Sequence, residues 1–379
     1  MPAMPSLHEL ETPALLLDRA KLEANCARMR AHLARSGVGL RVHVKTAKSL
    51  DVARLAAGGA GPITVSTLKE AEFFFARGFR DVLYAVGLVP GKFERAVRLA
   101  RAGCELRVLL DGPEMAQAFG DYCQRHGVRV PVLIEIDCDD HRAGLRADSE
   151  ALPGTAALLA EHGLLDGVLT HAGNSYGSGS AEELRNWARI ERESVTGAAE
   201  RLRRAGHALA TVSLGSTPTV LSAESFEGVS EVRAGVYVFF DLVMVGLGVC
   251  ALSDIALSVL TTVIGHQSAK GWLILDAGWM ALSRDRGTAS QALDQGYGLV
   301  CDAEGRPLDD LVVVDANQEH GIAAARPGRK KLHVQSFPVG TVLRVLPNHA
   351  CATGAQHATY HVLGQGAEIE SRWERFHGW

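Results

Sequence analysis

Short apolar or alternating runs recur eight times between residues 40 and 240, and helical stretches separate most of them. The runs are Leu40–Val44, Pro62–Ser66, Asp81–Val86, Glu105–Asp111, Pro131–Asp137, Gly167–Gly173, Thr211–Gly215 and Glu231–Phe239. Between them, Ser49–Ala57, Leu68–Arg77, Phe93–Ala102, Glu114–His126 and Glu182–Arg204 space their apolar residues as one face of a helix does. A strand followed by a helix reaches its neighbour only by a crossover, so neighbouring strands run parallel. Eight such units predict a (β/α)8 barrel of the TIM type, with a doubly wound open sheet as the rival. After about residue 250 the pattern changes. Ala256–Gly265, Trp272–Asp276, Leu311–Ala316, Thr341–Leu346, Ala358–Leu363 and Ile369–Glu374 read as strands with almost no helical spacing between them. A separate β domain is expected there, and Thr12–Leu17 is expected to pair with it. The expected division is 18–250 for the barrel, and 1–17 with 251–379 for the β domain.

Composition narrows the partners. The net charge of −4 is small and no Lys/Arg-rich run stands out, so neither nucleic acid nor an anionic membrane is an expected partner. No run approaches the roughly 18–20 apolar residues that a membrane span needs. Met1-Pro-Ala-Met-Pro-Ser6 lacks the basic and apolar regions of a signal peptide. The seven cysteines are scattered without paired spacing, which predicts reduced thiols and a cytoplasmic protein. Six of them are expected to be small core residues, with Cys351 the exception.

The first strand carries the sharpest chemical signal. In Leu40-Arg-Val-His-Val-Lys45, Val42 and Val44 share one face, and Arg41, His43 and Lys45 share the other. Catalytic side chains of a barrel sit at the C-terminal ends of its strands, and a lysine enclosed there is costly unless it has chemistry to do. Lys45 is therefore a candidate Schiff-base lysine. Other strand ends are polar too: Ser66-Thr67, Asp111, Asp137 through Arg142, His171 with Asn174, Ser175 and Tyr176, Gly215-Ser216-Thr217, and Tyr237. One lysine with these groups suits a phosphorylated aldehyde cofactor. Barrel phosphate sites usually come from the loops after strands seven and eight, where Gly215 lets backbone N–H groups approach an anion. Alone, that turn reads equally as an ordinary loop. A second constellation is Pro347-Asn-His-Ala-Cys351. On a strand, His349 and Cys351 would project to the same side as two ligands of one divalent ion, leaving positions for water or substrate. Such a triplet also occurs by chance. His357 and His361 read as loop and strand residues.

Five motifs now fall into one order: Arg41-Val-His-Val-Lys-Thr-Ala-Lys48, Thr170-His-Ala-Gly-Asn-Ser-Tyr176, Asp276-Ala-Gly278, Glu319-His-Gly321 and Pro347-Asn-His-Ala-Cys351. Together they resemble the D-serine dehydratase and D-threonine aldolase family over essentially the whole chain. The resemblance implies an alanine-racemase-like fold, pyridoxal 5'-phosphate (PLP), a divalent metal and a homodimer. Lys45 takes the Schiff-base position, and His349 and Cys351 take the metal positions. Arg142 matches the arginine that meets the cofactor's phenolic oxygen. Tyr176, Gly215, Ser216, Thr217 and Tyr237 fall in regions that contact ring or phosphate. The aldolase branch tends to carry Asp where Cys351 stands, so the dehydratase branch is favoured. A thiolate favours zinc, with manganese or cobalt as substitutes. The implied activity is an ammonia-lyase that converts D-threo-3-hydroxyaspartate to oxaloacetate and D-serine to pyruvate. The alternative is a D-threonine-type aldolase yielding glycine and an aldehyde. A non-catalytic PLP carrier would lack the β domain, and alanine racemase would need a second base that no residue clearly supplies. His171, Gln318, His320 and Arg284 are candidate substrate contacts, each with a blander reading: core histidine for His171, solvated loops for the rest. Arg142 would otherwise pair with Asp139 or Asp140. Lys48 is expected to begin the next helix or meet solvent.

Overall fold

The computed structural model of the chain describes residues 6–364 and 368–379. All eight expected barrel strands form: Gly39–His43, Ile63–Val65, Asp81–Gly87, Glu105–Leu110, Val132–Asp137, Leu165–Thr170, Thr211–Leu214 and Glu231–Ala234. Each pairs in parallel with its neighbours. The eighth also pairs with the first, Arg233 opposite Arg41, so the sheet closes and the open-sheet rival is excluded. A two-residue strand, Leu145–Arg146, adds to the fifth. The eighth strand is shorter than expected: Tyr237 lies in a 3-10 turn, Val236–Val238, rather than on the strand.

Alternation of side chains fills the barrel in layers. Leu83, Leu109, Leu133 and Leu169, from the third to sixth strands, form one buried cluster. Toward the strand N-termini, on the same faces, lies a charged network. Buried Arg41 meets Asp81 at 2.6 Å and Glu231 at 2.9 Å, and Arg107 meets Asp81 at 2.7 Å and Asp166 at 3.2 Å. Toward the C-termini the same parity leads to His43, Glu135, His171 and Arg233. The leucine layer thus lies between the charged network at one end of the barrel and the polar groups at the other.

In the second unit, Trp272–Leu275, Gly321–Ala325, Pro307–Ala316, Leu299–Cys301, Val342–Leu346 and Leu257–Gln267 pair in that order, all antiparallel. Leu257–Gln267 returns to Trp272–Leu275 and closes the ring. The expected role of the N-terminal segment is borne out: Ala14–Asp18 pairs with Leu257–Leu260 on one side and with His361–Leu363 on the other. Two strands went unexpected, Leu299–Cys301 and Gly321–Ala325. The first is three residues long, and the second is Gly-Ile-Ala-Ala-Ala, whose residues fill a strand only because both neighbours supply ladders. The chain divides into two compact units, residues 1–27 with 236–377 and residues 28–235 with 378–379. Residues 18–27 and 236–250, expected with the barrel, group with the β unit, and residues 378–379, expected with the β domain, group with the barrel.

None of the seven cysteines forms a disulfide. Only Cys26, Cys104, Cys123 and Cys301 are buried, so four rather than six are core residues; Cys138 and Cys250 are half-buried because both fall in loops.

Candidate functional site

In the barrel unit, Lys45 sits two residues beyond the first strand, exposed, and its amine makes no hydrogen bond or ion pair among the described residues. The turn that carries it is anchored on both sides. Lys48 N–H donates to the Val44 carbonyl at 2.9 Å, and Lys48 takes a left-handed φ of 45°. The Lys48 ammonium lies 3.1 Å from buried Glu70, whose other carboxylate oxygen accepts from the Ser66 N–H. Lys48 therefore neither begins a helix nor faces solvent: the enclosed carboxylate draws it in.

Two imidazoles lie at the same end. Burial, reinforced by Lys45, Arg233 and His171, pushes His43 well below the usual histidine range. Its Nδ1 is buried without a hydrogen-bond partner. His171 is pushed down to about 3, chiefly by burial, with Arg142, Lys45 and Arg233 adding repulsion. His171 Nδ1 lies 3.1 Å from the Gly215 carbonyl. A carbonyl only accepts, so Nδ1 carries the hydrogen and Nε2 keeps a lone pair. Tyr176, 38% exposed, holds its ring 6.3 Å from that of His171. Arg142 reaches Glu135 at 3.5 Å, not Asp139 or Asp140. Those aspartates are engaged elsewhere: Asp140 with Arg146, and Asp139 with Asn174 of the loop after the sixth strand.

The turn after the seventh strand needs its glycine. Gly215 has a φ of 135°, and a Cβ there would fall 2.4 Å from the Arg233 carbonyl oxygen and 2.9 Å from the Arg233 nitrogen. Ser216 caps the helix Thr217–Ser222, and its N–H and hydroxyl are both engaged with Thr219. Its polar groups thus serve the cap. Three buried charges escaped the sequence reading. Arg233 donates to the Ser213 hydroxyl at 2.7 Å and the Thr170 carbonyl at 2.5 Å, and burial lowers it to about 10. Glu135 is raised by burial against the pull of Arg142. Glu191, on the helix Ala181–Arg204, accepts from the Ala172 N–H at 2.9 Å. Burial raises its carboxyl, while Thr219 and the backbone of Ala172 favour the charged form. Alternating charges on an enclosed strand, Glu231 and Arg233, were the available signal for Arg233; Glu191 sits in a charge-rich helix and offered none. An uncommitted amine, neutral imidazoles and a glycine turn at one barrel end form a donor set that fits an aldehyde cofactor bearing a phosphate.

In the β unit, His349 and Cys351 are not on a strand. Val342–Leu346 ends before Pro347, and His349 caps the short helix Ala350–Gly354. A proline cannot extend the ladder, so the chain turns into a helix. The helical turn still brings the two side chains together: the His349 ring contacts both Asp285 and Cys351. Asp285 Oδ2 lies 2.6 Å from His349 Nδ1. Burial opposes a charge on His349, but Asp285, Cys351 and Asp241 push it up to about 11. Buried Asp241 accepts from Ala350 N–H at 2.9 Å and from Met244 N–H at 3.0 Å. Buried Asn348 accepts from the Thr288 hydroxyl at 2.8 Å and donates to the Gly296 carbonyl at 2.6 Å. The pair is therefore rigidly framed. No group of three or more His, Cys, Asp or Glu able to hold a metal exists among the described residues. His349 and Cys351 supply one nitrogen and one sulfur, which fits a divalent ion whose remaining positions go to water or substrate.

The other expected contacts spread out. Exposed Arg284 lies over the Trp279 ring at 5.0 Å, and Arg286 pairs with Asp294 at 2.7 Å. Gln318, Glu319 and His320 are exposed, with Gln318 donating to Glu319 at 3.2 Å. Tyr237 is fully buried. Two of the motifs prove to be halves of one backbone contact. A Cβ on Gly278 would meet the Asn317 and Gln318 carbonyls at 2.4 Å, and one on Gly321 would meet the Ala277 carbonyl at 2.5 Å.

Comparison with known proteins accounts for both units. Residues 17–243 match the family of the alanine racemase N-terminal domain, and residues 256–363 match a serine dehydratase domain. The chain is 52% identical over 378 residues to D-threo-3-hydroxyaspartate dehydratase of Delftia sp. (strain HT23), covering 99% of each. It is 29% identical to D-serine dehydratase of Dictyostelium discoideum, covering 96% of each. A solved structure of a cysteine-to-alanine variant of D-threo-3-hydroxyaspartate dehydratase, in the metal-free form, superposes with a TM-score of 0.96 at 50% identity, covering 99% of this chain and 100% of that one. The chain belongs to the family of hydroxy-amino-acid dehydratases built on the alanine racemase N-terminal domain.

Proposed function

We propose that the protein is a PLP- and divalent-metal-dependent ammonia-lyase that converts D-threo-3-hydroxyaspartate to oxaloacetate and ammonia, and D-serine to pyruvate and ammonia. The observation that carries this reading is the pairing of His349 with Cys351, an N,S donor pair present beside a full-length identity of 52% to a dehydratase. When bound, PLP supplies an electron sink for the Cα carbanion and the metal a Lewis acid for the β-hydroxyl. Lys45 is the attachment point for the aldehyde. Its Nζ would also serve as the base that takes the Cα proton. Neutral His171 offers Nε2 as an acceptor without adding a positive charge to that end of the barrel. Arg142 and Tyr176 would hold the ring, and Gly215, Thr217 and Tyr237 would hold the phosphate, while Ser216 keeps that turn folded. His349 and Cys351 would hold the ion, with zinc favoured by the thiolate and manganese or cobalt able to replace it. Loss of the hydroxyl as water leaves an enamine whose hydrolysis releases ammonia and the keto acid. Gln318, His320 and Arg284 are the candidate contacts for the rest of the substrate.

We further propose a homodimer, as the family resemblance implies, and a cytoplasmic location, which the absence of disulfides among seven cysteines supports. No described helix is long and apolar enough to cross a membrane. The test is a panel of β-hydroxy amino acids assayed for ammonia and for glycine, with and without EDTA. Ammonia with the keto acid, abolished by EDTA and restored by metal, is the expected result. Glycine with an aldehyde would instead establish the aldolase.

A further inference from the structure

We infer that Asp285 is the positioning residue of the metal pair: its carboxylate fixes the His349 ring so that Nε2, and only Nε2, is presented beside the Cys351 sulfur. The inference rests on the metal reading above and goes beyond it by assigning a residue that supplies no ligand. Asp285 Oδ2 occupies His349 Nδ1 at 2.6 Å, which leaves one ring nitrogen for anything else. A carboxylate can only accept, so Nδ1 keeps its hydrogen and Nε2 is the nitrogen left to give up its proton and bind a cation. The same bond makes the imidazole a stronger donor to the ion.

The carboxylate and the backbone that carries it are both held. Asp285 Oδ1 accepts from Gly287 N–H at 2.8 Å, and the Asp285 N–H donates to the Ser283 hydroxyl at 3.2 Å. Ser283, buried with a φ of 77°, turns the chain sharply just before it. The Asp285 carbonyl accepts from Asn348 Nδ2 at 3.3 Å, and Asn348 is the residue before His349. Carboxylate and imidazole are thus clamped to each other twice, once through side chains and once through the Asn348 amide. A surface ion pair would show neither the second tie nor the strained turn.

The experiment titrates Zn²⁺ against a competing chelator, and records the thiolate-to-metal absorption of Co²⁺, for wild type, Asp285→Asn, Asp285→Ala and Cys351→Ala. Asp285→Asn keeps an acceptor and loses the charge, whereas Asp285→Ala loses both. The expected order of affinity is wild type, then Asn, then Ala, with Ala weakened by roughly 10–100-fold. The metal-free melting temperature should move equally little in the two Asp285 variants. Wild-type affinity in Asp285→Ala would overturn the inference, as would equal affinity losses in Asn and Ala that track a loss of metal-free stability. If Cys351→Ala binds Zn²⁺ as wild type does, the metal reading itself falls and the inference with it.

Discussion

Replacing His171 with glutamine isolates a buried neutral imidazole and makes its cost visible in the pH dependence of stability. In the folded protein His171 titrates at about 3, against 6.5 for a free histidine, because it is enclosed and faces Arg142, Lys45 and Arg233. The unfolded chain therefore binds a proton that the folded one refuses. Stability is full above pH 6.5 and falls as pH drops toward 3, by about 1.4 kcal/mol per unit. Between pH 8 and pH 5 this amounts to about 2 kcal/mol from His171 alone. His43 is depressed in the same direction but is present in both proteins, so the difference between them reports His171. Urea unfolding of wild type and His171→Gln at pH 8 and pH 5 measures it. Glutamine also loses the bond to the Gly215 carbonyl, which costs the same at every pH and cancels. The variant should lose about 2 kcal/mol less than wild type on acidification; equal losses would mean that the imidazole is charged or solvated in the native barrel, refuting the argument.

Other substitutions follow from the same geometry. Gly215→Ala forces a Cβ into the Arg233 backbone at 2.4 Å and should displace the turn, weakening coenzyme retention at least about tenfold as read by absorbance after gel filtration. Arg41→Met strands Glu231 and part of Asp81 at the N-terminal end of the barrel strands. A loss of about 3 kcal/mol in urea unfolding is expected, with turnover at low temperature unchanged. Gly278→Ala breaks the contact with the 317–320 turn and should cost upwards of about 2 kcal/mol, seen as a lower melting temperature.

The barrel was legible because periodicity is local: strand and helix alternate within windows of ten residues, and parity alone set His43 and Lys45 on the polar face. The β unit was read less completely, since Gly321–Ala325 has no strand character of its own and depends on its two neighbours. Pro347 was visible, yet its consequence was not drawn. It ends the strand and turns His349 and Cys351 into a cap and a first helical turn. Asp285 went unmarked beside Arg284, because its partner lies 64 positions away and nothing in the local pattern distinguishes it from Arg284 and Arg286. The motifs Asp276-Ala-Gly278 and Glu319-His-Gly321 looked like chemistry, but their glycines answer to steric closeness of backbone. Charges that pair across the barrel, such as Arg233 and Glu191, are set by tertiary placement that no window of sequence contains.

Whether Lys45 is the residue that holds the aldehyde can be read directly. The protein, purified with PLP, is reduced with borohydride, digested, and its peptides mapped by mass. The account predicts a single phosphopyridoxyl mass, on Lys45 within Val42–Lys48, and none in Lys45→Ala. A label on another lysine, or an unmodified Lys45 in protein that turns over substrate, would contradict it.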